Sequence, residues 1–284
     1  MITWTLTLEQ LLQTIAQSQD GAGNWVPYPT MSSVTSFSEL PTLSETLTQA
    51  QTLRGLEPTV GQIQDLSTQL QATIAAPATL RRVPIYSASK GALNPHRVLR
   101  GATTPWRPTT PAIRPAHGRR VTLVLPGSWH TEVPAQTILW SGVATLALAD
   151  TLQQAGYHVT LASAIISKRL FVNHADDTCT LVRLRSAGDP WSLHAVAVTA
   201  QATFCRKLLF RFWETRCPEH GALNASYGQV EMDPTLVQVA CLEADPHLGQ
   251  CIIGAGPWSA VANELSARNW IQGQLATITA QAAF

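Results

Sequence analysis

The sequence predicts an α/β protein, a mostly parallel sheet with helices on both faces, preceded by a helical N-terminal region. Three observations predict it. After residue 119, short apolar runs alternate with longer segments of helical period, the pattern of a parallel sheet flanked by helices. Residues 1–76 carry apolar side chains three and four apart behind recognisable helix caps. Hydrophobic residues make up 45% of the 284 positions and charged ones only 13%, enough for a sizeable core and too little charge for a disordered chain.

The elements follow in order. Thr7-x-x-Gln10 reads as a capping box ahead of Leu8, Leu11, Leu12 and Ile15 on one helical face. Residues 20–33, rich in Gly, Asn, Pro and Ser, read as loop. Thr42-x-x-Glu45 caps a second helix near Pro41, with Leu43, Leu47 and Ala50 inward and Gly55 at its end. A third helix is expected over 59–75 from Ile63, Leu66, Leu70 and Ile74, and Pro77 stops it.

Residues 77–118 differ in kind. Seven prolines (77, 84, 95, 105, 108, 111 and 115) oppose regular sheet or a long helix, leaving an extended segment with one helical turn from Asn94-Pro95 to Gly101. The chain thus divides into a helical region 1–76, a basic proline-rich extended segment 77–118, and an α/β domain 119–284. In that domain Val121–Leu125, His158–Leu161, Thr180–Leu184, Leu236–Leu242 and Cys251–Ile253 are the expected strands. Helices are expected over 135–155, closed by Gly156, from Asp189-Pro190 to Arg216, and from Pro257 through Val261, Leu265, Trp270 and Leu275.

The net charge of +1 hides a strong asymmetry. Residues 1–80 carry −5, residues 81–120 carry +9 with no acid, and residues 121–284 carry −3. The central segment holds Arg81, Arg82, Lys90, Arg97, Arg100, Arg107, Arg114, Arg119 and Arg120, interleaved with Trp106, Tyr86, His96 and His117. Guanidinium forks meet phosphates and aromatic rings stack on bases, so the expected partner is anionic, with nucleic acid first. Docking on an acidic protein, or neutralisation of the chain's own N-terminal carboxylates, would use the same charges. Arg206, Lys207, Arg211 and Arg216 either extend that basic surface or form an ordinary solvated helix face.

The loop after the first α/β strand, Pro126-Gly127-Ser128-Trp129-His130, stands where open sheets bind ligands, making Ser128, Trp129 and His130 a candidate ligand loop. Ser128 and His130, with Asp176 or Asp177, would serve a hydrolase, although Gly-x-Ser-x-Gly is absent. Cys217-x-x-His220, with Cys205 upstream and His247 or Cys251 downstream, is half of a zinc site without its second close pair. Asn173–Asp177 reads as a turn, and Gly254-Ala-Gly256 as a tight turn in place of a dinucleotide loop. No catalytic residue, metal or cofactor is therefore assigned. Five cysteines, an odd number without pairing pattern, and an N-terminus without a signal-peptide core point to reduced thiols and a cytoplasmic location. No run reaches the roughly 18 apolar residues of a membrane span, so no membrane partner is expected.

Two resemblances add to this reading. The element order after residue 119 resembles a von Willebrand factor A-type domain, whose first strand ends in a metal-binding Asp-x-Ser-x-Ser. Of Pro126-Gly-Ser-Trp-His130 only Ser128 fits, with Pro126 at the aspartate position and His130 at the second serine, so the metal site is degenerate and is not carried over. The segment Pro84-x-Tyr86-Ser87, Gly91, Arg97 and Gly101, followed by Trp140-Ser-Gly142, Ala149-Asp150 and Gly156-Tyr157-x-Val159, is similar to an uncharacterised family common in bacteriophages and mobile elements. That resemblance implies a genetic context and no activity. The expected function is a non-enzymatic binding or assembly protein with protein partners besides nucleic acid. The rivals are the hydrolase and a structural subunit of a phage-like particle.

Overall fold

The order of strands explains why the core lies on both sides of a sheet. The structure, a computed structural model, describes residues 2–20, 25, 39–71, 80–83, 92–93, 98–99, 106–107, 112–115, 120–127, 129–130, 132–168, 178–216, 229–230, 233–248 and 251–282.

Strand β1 (Ile2–Thr7) opens the chain. Its alternation exposes Thr3, Thr5 and Thr7 and buries Leu6, the period-two pattern of a half-buried strand. The N-terminal region is therefore not helical throughout: it begins with a sheet edge. Helix α1 (Leu8–Ala16) follows without a break, and the Thr7/Gln10 capping box closes both ways, at 3.2 and 2.8 Å. In α2 (Leu43–Thr52) the Thr42/Glu45 box does the same, and Leu53 ends it in the left-handed region at φ 57°. Helix α3 (Glu57–Gln71) buries Val60, Ile63, Leu66 and Leu70.

Four short strands come next: β2 (Leu80–Val83), β3 (Ala92–Leu93), β4 (Trp106–Arg107) and β5 (Ala112–Pro115). They pair only among themselves, β2 with β5 and β3 with β4, both antiparallel. The proline-rich segment thus forms short ladders where none was expected. Pro115 is tolerated because it is the last residue of its strand, where a missing N–H costs least. Of the expected turn from Asn94 to Gly101, only Val98 and Leu99 are described; both are helical and exposed.

Strand β6 (Arg120–Pro126), helix α4 (Ala135–Gln154), β7 (His158–Lys168) and β8 (Thr178–Arg185) form the centre. The expected helix over 190–216 is broken into pieces. Ser192, not Asp189, caps α5 (Leu193–Ala197). A 3-10 turn over Val198–Ala200 ends at Gln201, whose backbone is extended (φ −85°, ψ 146°). A π-helical stretch, Phe204–Leu209, then runs into α6 (Phe210–Arg216). The β-branched Val196, Val198 and Thr199 weaken helix propensity where the break falls.

Strand β9 (Gln229–Val230) is followed by α7 (Pro234–Ala244), which replaces the strand expected over 236–242. Asp233 caps it by accepting from the Thr235 N–H at 2.8 Å, Pro234 occupies the first turn, and Val237, Ala240 and Cys241 are buried at helical spacing. Strand β10 (Cys251–Ile253) precedes the last helix, α8 (Glu264–Ala282), which starts seven residues after Pro257.

The main sheet runs β1-β8-β7-β6-β10, with β9 beside β7. β1 is parallel to β8, and β6 to both β7 and β10; β7 with β8 and with β9 is antiparallel. A mixed α/β class with a mostly parallel main sheet is what the sequence predicts. Leu123, Leu125, Val159, Leu161 and Val182 face a core shared with α1, α2, α3, α4 and α8. Val124, Ala162, Ala164, Ile166 and Leu181 face a smaller core under α7. Burial on both faces explains why these strands read as unbroken apolar runs.

Packing divides the chain into Met1–Ile74 with Arg120–Phe284 as one unit, and Ala75–Arg119 as another. The helices of 1–76 and the sheet of 119–284 thus share one core. Among the described residues, no helix is long and apolar enough to cross a membrane.

Candidate functional site

The basic segment coincides with the smaller unit. Ala75–Arg119 holds eight of the nineteen Lys and Arg residues and none of the eighteen acids. Its ladders place Arg81 opposite Arg114, Arg82 opposite Ile113, Arg107 opposite Ala92 and Trp106 opposite Leu93. Like charges in cross-strand register are unfavourable unless something neutralises them. No residue of this unit can do so, because it contains no carboxylate. Lys90, Arg97, Arg100 and Arg119, together with Tyr86, His96 and His117, lie outside the described residues. Arg120 is exposed but is the first residue of β6, in register with His158, so it belongs to the larger unit.

The loop after β6 is built for packing. The Gly127 N–H donates to the Ala164 carbonyl at 2.7 Å, and a Cβ there would stand 2.4 Å from Ile165 Cγ1, so only glycine fits. Trp129, expected to face a ligand, is 9% exposed, and its indole N–H donates to the Pro126 carbonyl at 3.3 Å. It is a buried anchor. His130 is exposed, and its carbonyl, like that of Val133, accepts from the buried Arg206 guanidinium. Ser128, Asn173–Asp177, Cys217 and His220 fall outside the described residues. Burial raises the Cys205 thiol to about 12, against the weaker opposing pull of Arg206. Cys251 is also buried and its thiol is pushed up by that burial. No group of three or more metal-binding side chains exists among the described residues. Gly254, of Gly254-Ala-Gly256, is required because a Cβ would meet Thr145 at 2.5 Å; the Thr145 hydroxyl accepts from the Ala255 N–H at 3.0 Å. The turn packs on α4.

The charges of 204–216 are where sequence reasoning failed most. Arg206, Lys207, Arg211 and Glu214 are all 3% exposed or less, so they extend no basic surface and form no solvated face. Only Arg216 is exposed. The Arg211 guanidinium donates to the Ser18 hydroxyl at 2.9 Å and the Ser18 carbonyl at 3.0 Å, pairs with Glu214 at 3.4 Å, and lies 5.2 Å from the Trp25 ring centre. Burial pulls the Lys207 ammonium below its ordinary value, with Glu39 opposing. A signal was present: Phe204, Leu208, Leu209, Phe212 and Trp213 leave no face of this segment free of large apolar groups.

A second cluster surrounds Asp150, the lone charge of α4. It is 4% exposed and accepts from the Ser67 hydroxyl at 2.5 Å, the Gln154 amide at 2.6 Å and the Trp191 indole at 2.7 Å. Arg185 stacks on the Trp191 ring at 4.9 Å and donates to the Asp189 carbonyl at 2.6 Å. Burial lowers the Arg185 pKa, partly offset by the Asp189 charge. An open cleft of about 690 Å³ lies above, lined among the described residues by Asp65, Thr68, Ser192 and His194 with others, and by no Lys or Arg. Asp150 thus ties α3, α4 and the chain before α5 together.

Chemistry and fold together define a mixed α/β protein carrying a separate, purely basic unit of short antiparallel ladders. Residues 32–246 match a family described as a domain of unknown function, and the chain belongs to that family, DUF7192. No curated protein and no solved structure matches it.

Proposed function

We propose that this DUF7192 protein is a non-enzymatic binding protein that grips an anionic partner, nucleic acid, through its basic segment. One observation carries the reading: the unit Ala75–Arg119 concentrates eight cations with no anion and sets Arg81 against Arg114 in register. A segment that cannot neutralise itself draws counterions, and a polyanion that displaces them gains the entropy of their release. In the larger unit Arg206, Lys207 and Arg211 are buried, and its eighteen acids outnumber its eleven Lys and Arg residues.

Heparin chromatography tests this. Retention at low salt that is lost at moderate salt is the expected result. Passage straight through at low salt overturns the proposal.

A further inference from the structure

We propose that the open cleft between α3, α4 and the start of α5 binds a small aliphatic amine through its primary ammonium groups. The site is separate from the basic segment, since the described residues that line it all belong to the larger unit. The carrying observation is negative charge without a counterion in the walls of a cavity. Asp150, 4% exposed, lines its buried side, and the three donors to its carboxylate, Ser67, Gln154 and Trp191, are all neutral. Asp65 of α3 stands exposed in the same wall. Neither carboxylate takes part in an ion pair among the described residues. The neighbouring cation, Arg185, directs its donors to the carbonyls of Val159, Asp189 and Pro190 and to the Gln153 amide oxygen, and it feels the Asp189 charge. A carboxylate held out of water without an opposite charge is costly, and a cation entering the cleft relieves that cost.

The walls select the kind of cation. At about 690 Å³ the cleft falls within the range of small-molecule sites, roughly 300–1,000 Å³. Unlike most such sites it is polar: besides the carboxylates, the Gln64 amide and the Thr68 and Ser192 hydroxyls line it. An ammonium group carries three donors and no acceptor, the complement of carboxylate and hydroxyl oxygens. A quaternary ammonium needs several aromatic faces, and the one ring among the described walls, Trp191, already carries Arg185 at 4.9 Å. A metal ion needs a set of ligands, and no group of three or more metal-binding side chains exists among the described residues. An anion would meet two carboxylates with only the exposed His194 to offset them among the described walls. Leu193 is the one aliphatic side chain there, too little to cover a long alkyl chain, so the amine is short.

Isothermal titration calorimetry of the full chain tests this, with 1,4-diaminobutane as the probe and tetramethylammonium, glucose, magnesium chloride and inorganic phosphate as comparisons at matched ionic strength. The diamine should bind saturably with a Kd below about 1 mM, and each comparison at least about tenfold more weakly. Asp65→Asn removes one charge from the wall and no hydrogen bond or ion pair, so the unfolding midpoint should stay unchanged while diamine affinity falls about tenfold. Glu243→Gln removes the same charge from an exposed position on α7 outside the cleft and should leave the affinity within about twofold. Absence of saturable diamine binding overturns the proposal. So does an equal loss in the two variants, which would reduce the effect to net charge, or an unchanged affinity in Asp65→Asn. Tighter binding of glucose, magnesium, phosphate or tetramethylammonium than of the diamine gives the cleft to another chemistry and overturns it as well. Heparin retention is untouched by any of these results, so the two proposals fail separately.

Discussion

Two arginine-rich stretches, similar in charge, differ in the residues that surround them in the sequence. The segment 81–120 and the helix 204–216 both invite a reading as basic surface. In the second, Arg206 and Arg211 are buried, Arg211 pairs with Glu214 three residues on, and Ser18 accepts from its Nε and Nη2. The first contains no acid, and the ladder register sets Arg81 opposite Arg114. A cluster of positive charge does not itself declare a binding surface. What separates the two is local: large apolar residues at every turn with an acid at helical spacing mark a cation for burial, and the proline-rich segment has neither.

This contrast breaks first at Arg211. Arg211→Ala would leave Glu214 buried without its ion partner, and losing one half of a buried pair costs about 3–5 kcal/mol. Urea unfolding should show that loss with an unchanged slope. A loss below about 1 kcal/mol would mean that water reaches the helix and that its charges resemble those of the basic segment.

Asp150 sharpens the same point with an anion. Asp150→Ala removes the acceptor of Ser67, Gln154 and Trp191, and orphaned buried donors cost about 1–3 kcal/mol each before relaxation, so a net loss of about 3 kcal/mol is expected. Thermal unfolding followed by tryptophan fluorescence checks it. A near-neutral result would free Asp150 for a ligand in the cleft above it.

Much of the fold was legible because local chemistry and tertiary packing agree. The capping boxes at Thr7 and Thr42 fix helix starts from four residues each, and the apolar runs of β6, β7 and β8 have no other use than a two-sided sheet. The failures share a cause. Leu236–Leu242 is apolar enough for a strand, and only Asp233-Pro234 in front of it decides for helix. In β1 the alternation of Thr with Ile, Trp and Leu was readable, but the capping box just after it drew the whole N-terminus into a helical reading. Trp129 looked like a ligand contact because sequence places it at a sheet's carboxyl edge without showing which way the ring turns. Of the candidate site, the charge segregation was fully visible; the pairing of its strands was not, since four short strands separated by prolines leave no periodic trace.

The smallest expected effect is the most telling for the comparison. Arg81→Ala with Arg114→Ala should change stability by no more than about 0.5 kcal/mol, and toward greater stability, because opposed like charges are removed from a ladder that has no carboxylate to lose. The gain should shrink as salt is raised, since screening weakens repulsion between like charges. Differential scanning calorimetry at low and moderate salt measures both. If instead the pair of substitutions destabilises the protein by about 2 kcal/mol or more, these arginines have partners within the chain, the difference between the two stretches disappears, and both belong to the interior economy of the fold.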